Sequence, residues 1–264
     1  MPDHAPSVDS PAHITRSSFE TFVVGESNRL AHAACHALAE AVVAGEPSDA
    51  DSPLVLCGDT GLGKSHLLGA IARRVREARP QLHVAHFTAP DLVNEVIRAI
   101  REDRIGDFVE HASSEWQLLL VDDLHLVAGK ERTQAELQRI FDALQAAGKP
   151  IVVACGAPPY DLARLEHCLR SRLCGGLVAQ MQAPDEATAR EILAGLAQRA
   201  GFELPADVRD LIAAHLRSDV RGLQGALRRV AAVAQARAQP LGLALAADAL
   251  WGFSATGVKY LSQR

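Results

Sequence analysis

No two of the five cysteines, Cys35, Cys57, Cys155, Cys168 and Cys174, stand at CxxC spacing, which excludes a zinc ribbon or a dithiol redox motif. Cys57 and Cys155 fall inside apolar, strand-like runs, so the set reads as reduced thiols of a cytoplasmic protein. No apolar run approaches the ~18 residues that a membrane helix needs. Met1 to Ser18 carries Pro2, Pro6 and Pro11 among Ser and Asp without an apolar core, so it is expected to be a disordered tail and not a signal peptide. Cations are not in excess: 27 Lys and Arg face 32 Asp and Glu, giving a formal charge of −5 and a pI near 6.1. That balance excludes a protein living by non-specific adhesion to DNA, although a local basic groove stays open. No internal repeat is evident, and the alanines of 226–238 are simply strong helix formers filling a helix.

What is present is an ordinary globular composition, 48% hydrophobic and 22% charged over 264 residues, enough for a sizeable core plus a small appended domain. Leu30, Ala34, Leu38 and Val42 predict a helix over Ser27–Ala44 with Ser27 as N-cap, and Glu46–Ser52 reads as a turn-rich break. Strands at Leu54–Cys57, Leu82–Phe87, Gln117–Val121, Ile151–Cys155 and Leu177–Met181 then alternate with helices, including Asp91–Arg101 and Thr133–Ala147. The alternation predicts an α/β fold with a mainly parallel sheet of five strands covered by helices on both faces. After Pro184 only helical patterns follow, near Asp185–Ala200, Ala206–Leu216, Asp219–Ala238 and Ala244–Trp251. The expected division is a tail over 1–18, a nucleotide-binding base over 19–183, a helical lid over 184–253 and a C-terminal tail over 254–264.

Between the first strand and its helix stands Gly58-Asp59-Thr60-Gly61-Leu62-Gly63-Lys64-Ser65, a complete Walker A pattern. Its glycines free backbone N–H groups to point at phosphate oxygens, and the N-terminus of the helix that begins with Ser65-His66-Leu67 adds partial positive charge. Lys64 is placed to reach the terminal phosphates of ATP, and the Ser65 hydroxyl to hold Mg²⁺. Leu118-Leu119-Leu120-Val121-Asp122-Asp123 supplies the second half, because an apolar strand delivers two carboxylates to the rim where ligands bind in open α/β sheets. Asp122 is expected to hold Mg²⁺, directly or through water, and Asp123 to orient or deprotonate the attacking water. Two arginine clusters follow: Arg170-Ser171-Arg172, after a short helical stretch, and Val220-Arg221-Gly222-Leu223, opening a helix. Arginine suits developing phosphate charge, but exposed arginines are also ordinary solvated surface.

With these pieces in order, the chain resembles the ATPase domain of the bacterial replication initiator DnaA, within the AAA+ class, from about Phe19 to Phe253. Phe22-Val23-Val24-Gly25-Glu26-Ser27-Asn28-Arg29-Leu30-Ala31 looks like the family box flanking the adenine. Gly61 to Leu67, Ala128 to Gln134, Leu169-Arg170-Ser171-Arg172 and Val220-Arg221 look like further boxes in their proper sequence. The resemblance implies that Val24, Gly25 and His66 join the nucleotide site. It implies that Arg172 is an arginine finger for the ATP of a neighbouring subunit, and Arg221 a sensor 2 residue reading the γ-phosphate. A finger acting in trans implies a head-to-tail contact, the kind that builds open filaments when rotation does not close a ring. The family's single-stranded-DNA contacts fall on Val93, Lys130 and Arg132, for which a core valine and a solvated turn are the alternatives.

The departures carry as much. At the sensor 1 position after Ile151–Cys155 stands Gly156, followed by Ala157 where a basic residue is usual, which predicts slow or absent intrinsic hydrolysis and ATP as a bound signal. Cys168 replaces an arginine supporting the intersubunit contact, Gly222 and Gln224 replace acids, and Asp107–Gln117 is poor in basic residues; together these weaken self-assembly on DNA. Neither a helix-turn-helix module nor a helicase-docking domain is expected. The resemblance therefore implies an ATP-binding protein of replication initiation or its control, working through ATP-dependent contact with an AAA+ partner, the full-length initiator. Shortened initiator relatives of the Hda type promote hydrolysis in this manner. A single-stranded-DNA-binding, helicase-loader-like protein and an ATPase relying on Asp123 alone are the alternatives.

Overall fold

The computed structural model describes residues 17–46, 52–216 and 219–251. The tails expected over 1–18 and 254–264, apart from residues 17 and 18, and most of the break expected over 46–52 lie outside the described residues. The chain divides into two compact units. Of the described residues, one takes those up to Phe22, then those within Leu30–Asp59 and Lys64–Met181; the other takes Val23–Arg29, Thr60–Gly63 and those from Gln182 onward.

In the first unit the order is α1 (Arg29–Ala44), β1 (Leu54–Cys57), α2 (Lys64–Ala78), β2 (Val84–Thr88), α3 (Ala89–Arg101), α4 (Ile105–Glu115), β3 (Leu118–Asp122), α5 (Glu131–Ala146), β4 (Ile151–Cys155), α6 (His167–Cys174) and β5 (Val178–Gln180). Short 3₁₀ turns occupy Leu124–Val127 and Pro159–Asp161. The five strands form one sheet in the order β2-β3-β4-β1-β5, parallel throughout. All residues of β1, β3 and β4 are buried, as a sheet covered on both faces requires. Val55, Cys57, Leu119, Val121, Val153 and Cys155 share one core cluster with Phe141 of α5 and Trp116. The alternate residues Leu54, Leu56, Leu118 and Leu120 point to the other face by the period-2 rule and are equally buried.

The expected fold class holds, and every expected strand is found within two residues of its ends. One helix was not foreseen. Over 105–115, where only a shortage of cations stands out in the sequence, α4 packs Phe108 and Val109 against the core. Arg170-Ser171-Arg172 is corrected too: these residues lie within α6 and do not follow a helical stretch. The Ser27–Ala44 helix begins instead at Arg29.

The second unit holds α7 (Glu186–Ala200), α8 (Ala206–His215), α9 (Val220–Arg237) and α10 (Leu243–Trp251). Asp185 caps α7, its carboxylate accepting from the Thr188 N–H at 2.7 Å, and Gly201 closes the helix in the left-handed region at φ 74°. Leu223, Leu227 and Val230 of α9 follow helical spacing and meet Leu193, Ile212 and Leu250 in one core. No helix among the described residues is long and apolar enough to cross a membrane.

Candidate nucleotide site

Because the sheet is parallel and β4 pairs with both β1 and β3, the carboxyl ends of these three strands stand side by side on one rim. Each end carries a different loop. At β1, Gly58 and Gly63 take φ values of 144° and 102°, backbone that side chains other than hydrogen resist, so the Walker glycines are required by the turn itself. The turn delivers Lys64 to the first position of α2, where only 6% of the residue is exposed. Its Nζ donates to the carbonyls of Gly58 at 2.6 Å and Asp59 at 2.8 Å. Burial lowers the Lys64 pKa, and the carboxylates of Asp122 and Asp123 oppose that shift. A buried ammonium held by carbonyls that phosphate oxygens can replace fits an anionic ligand. Ser65 follows on α2, half-buried.

At β3, Asp122 ends the strand with 6% exposure, and its Oδ1 accepts from the Asp123 N–H at 2.9 Å. Asp123 is exposed and sits in the left-handed region at φ 55°, a strained placement for a side-chain-bearing residue that turns the chain into the 3₁₀ segment. Lys64, Asp122 and Asp123 are thus the predicted residues brought into one electrostatic group. Two protein oxygens, the Ser65 hydroxyl and an Asp122 carboxylate, suit Mg²⁺, which keeps water and phosphate for most of its shell.

At β4 the first two residues of the loop, Gly156 and Ala157, offer no polar side chain. The N–H of Gly156 donates to Nδ1 of His125, 3.2 Å away, and a Cβ at Gly156 would lie 3.6 Å from each of Nδ1, Cε1 and Nε2 of that ring.

His66 faces elsewhere: its Nε2 lies 2.8 Å from the Ser18 carbonyl and 3.3 Å from the Thr21 hydroxyl, tying the N-terminal arm to α2. Phe22 packs edge-on to the same imidazole, and Phe19 and Phe22 both contact His32.

The second unit contains the box around Val24, the turn Thr60–Gly63 and Arg221. Val24 is exposed, whereas Gly25 is buried and its N–H donates to Asn28 Oδ1 at 2.9 Å; Asn28 Nδ2 donates in turn to Val23 O at 3.0 Å. Any side chain at Gly25 would collide with Thr188. Leu62 is buried beside exposed Thr60. Gly61, at φ 85°, accepts from the Val220 N–H at 3.0 Å, and a Cβ there would come within 2.7 Å of Asp219 Oδ1. Asp219 is the N-cap of α9, so Arg221 occupies the exposed first turn of that helix.

The remaining candidates separate by environment. Arg170 is a strut, donating to the carbonyls of Leu162 at 3.2 Å and Leu165 at 2.8 Å. Arg172 is exposed and, among the described residues, pairs with Asp142 of α5, itself 40% exposed. Such a pair is worth at most about 1 kcal/mol, which leaves the guanidinium free to exchange partners. Arg172 and Cys168 border a groove of about 470 Å³, with Gln138, Gln145 and His167 also in its walls. Val93 is 4% exposed and packs in the core cluster, while Lys130 and Arg132 are exposed at the start of α5. Fully buried Gln134 holds this turn in place: its Nε2 donates to Val127 O and Arg164 O, and its Oε1 accepts from the Glu166 N–H at 2.7 Å. Asn28, Gln134 and His125 were not singled out individually from sequence; Gln134 and His125 act on chain about 30 residues away, whereas Asn28 bonds locally to Val23 and Gly25.

The profile of the bacterial DnaA ATPase domain matches residues 14–180. The chromosomal replication initiator protein DnaA of Thermomicrobium roseum is 42% identical over 243 residues, 91% of this chain and 51% of the relative. The chain thus spans about half the length of the curated relatives it matches. Among solved structures, domain III of the Thermotoga maritima replication initiation protein DnaA is similar with a TM-score of 0.80 and 30% identity, over 89% of this chain and 96% of that one. A replication initiator DnaA bound to AMPPCP and single-stranded DNA is similar with a TM-score of 0.72 and 28% identity, over 81% of this chain and 64% of that one.

Proposed function

Because the chain belongs to the bacterial DnaA ATPase domain family, we propose that it binds ATP with Mg²⁺ and acts in replication initiation or its control through an ATP-dependent contact with an AAA+ partner, the full-length initiator. The observation that carries this reading is Lys64: a buried ammonium at the glycine turn, within the field of Asp122 and Asp123. Lys64 binds the terminal phosphates, backbone N–H groups of 61–65 orient them, and Ser65 with Asp122 holds the metal. Bound ATP supplies a phosphoanhydride and a γ-phosphate charge by which the nucleotide state is read. Arg221, on the first turn of α9, is assigned to that charge within the chain. Val24 and Gly25, fixed by Asn28, flank the base, with Thr60, Leu62 and His66 shaping the surrounding backbone.

Arg172 is assigned to the ATP of the partner, because it is exposed, weakly paired and bordered by an open groove. Mixing this protein, ATP and the full-length initiator of the same cell, with complex formation and phosphate release measured, tests the assignment. Arg172→Ala is expected to keep its own ATP affinity and to lower stimulated phosphate release by about 10³-fold. Unchanged release in that mixture removes the finger. A second reading, single-stranded-DNA contact through Lys130 and Arg132, is favoured by the exposure of both at the start of α5 and by the DNA-bound relative. Replacing both with Ala is expected to reduce the salt slope of oligonucleotide binding by about 1.4, at ~0.7 per lost phosphate contact. Val93, packed in the core, is not part of that exposed surface.

A further inference from the structure

The end of β4 stands between the ends of β1 and β3, the two that carry Lys64 and Asp122, yet its own Gly156 brings no side chain to the rim. The neighbouring loop leans into that space. His125 belongs to the 3₁₀ turn that follows Asp123, and the turn is pinned by Leu126 N–H donating to Asp123 O at 3.0 Å and Ala128 N–H donating to His125 O at 3.2 Å. Nδ1, Cε1 and Nε2 are equidistant, at 3.6 Å, from the point where a Gly156 Cβ would be, so the imidazole lies face-on over the glycine in van der Waals contact. The Gly156 N–H meets Nδ1 from the side of the ring face, so the two contacts together seat the imidazole on the glycine. His125 is half-buried, neither sealed in the core nor splayed into solvent.

We propose that His125 is the nucleotide-sensing donor that Gly156 cannot be: its Nε2–H binds an oxygen of the γ-phosphate, from β3 instead of from β4. This rests on the ATP reading above and names the residue by which that site distinguishes ATP from ADP. A glycine at 156 is then part of the device. Its missing side chain makes room for the ring, and its N–H helps hold the ring there.

Calorimetric titration of the 264-residue chain with Mg-ATP and Mg-ADP tests this. His125→Phe keeps a ring over Gly156 but has no N–H; ATP affinity is expected to fall about tenfold or more, and ADP affinity to change less than about twofold. His125→Gln, whose amide can accept from Gly156 and donate outward, is expected to return ATP affinity to within about threefold of the native chain. His125→Ala with Gly156→Asn, which puts a donor back at β4, is expected to regain the preference that His125→Ala alone loses. Melting curves establish that each variant is folded, and His125→Ala carries the same test if the phenyl ring is not accommodated. Equal losses for both nucleotides, or none for either, would overturn the assignment while leaving ATP binding intact. A native chain that binds neither nucleotide would overturn the ATP reading itself, and His125 with it.

Discussion

The ends of β1 and β4 are adjacent in one sheet, in register from Leu54 opposite Val152 to Cys57 opposite Cys155, and they could hardly be equipped more differently. After Cys57 the chain spends glycines on left-handed and extended turns to set a lysine at a helix N-terminus. After Cys155 it offers a glycine with ordinary backbone and an alanine. Identical strand packing therefore dictates nothing about the chemistry of the loop that follows. Chemistry missing from one strand end can be supplied by the next one along, as the His125 ring over Gly156 illustrates.

The contrast predicts a graded series of effects. Lys64→Ala removes charge-assisted bonds to phosphate and is expected to weaken ATP binding by at least about 100-fold in calorimetry. Retained micromolar affinity would show that the β1 end is no better equipped than the β4 end. Asp122→Asn keeps the shape of β3 but loses half the proposed metal ligation. ATP affinity is expected to drop about tenfold with Mg²⁺ present and to match the native chain in EDTA, and an equal drop in both conditions would exclude a metal role.

Glycine substitutions sharpen the contrast without any ligand. Gly61→Ala forces a side chain into backbone at φ 85° and within 2.7 Å of Asp219, so melting is expected about 5 °C or more lower. Gly156→Ala has no positive φ to resist it and adds a methyl at ordinary contact distance from His125, so stability is expected to change by less than about 0.5 kcal/mol. Similar melting shifts in the two variants would erase the distinction.

The richer end is also the legible one. Glycines, Lys64 and Ser65 act within eight consecutive residues, so their spacing alone reveals the loop, and Leu118 to Asp123 is similarly local. His125 could not be read because its partner is 31 residues away, just past the end of another strand. Arg170 and Arg172 look alike in sequence, and only tertiary contacts, with the carbonyls of 162 and 165 in one case and Asp142 in the other, separate strut from exposed cation. Helix α4 was missed because its apolar face is narrow and half-buried, Phe108 and Val109 against a single fully buried Ala112, too little periodicity to stand out. Val93 shows the reverse case: a position matched through a resemblance lies where the spacing of Leu92, Val93 and Val96 alone would put it, in the core.

The sheet also carries its own clock. Cys57 and Cys155 face each other across β1 and β4, and burial pushes the Cys155 thiol up to about 12, so thiolate is scarce there while the strands are zipped. Cys35 is likewise sealed, on the buried face of α1, whereas Cys168 and Cys174 are open on α6. A disulfide-exchange reagent should therefore consume two thiols at once and three only as fast as the protein opens. Any ligand that clamps the rim would be felt, without labels or engineering, as a slowing of that second phase.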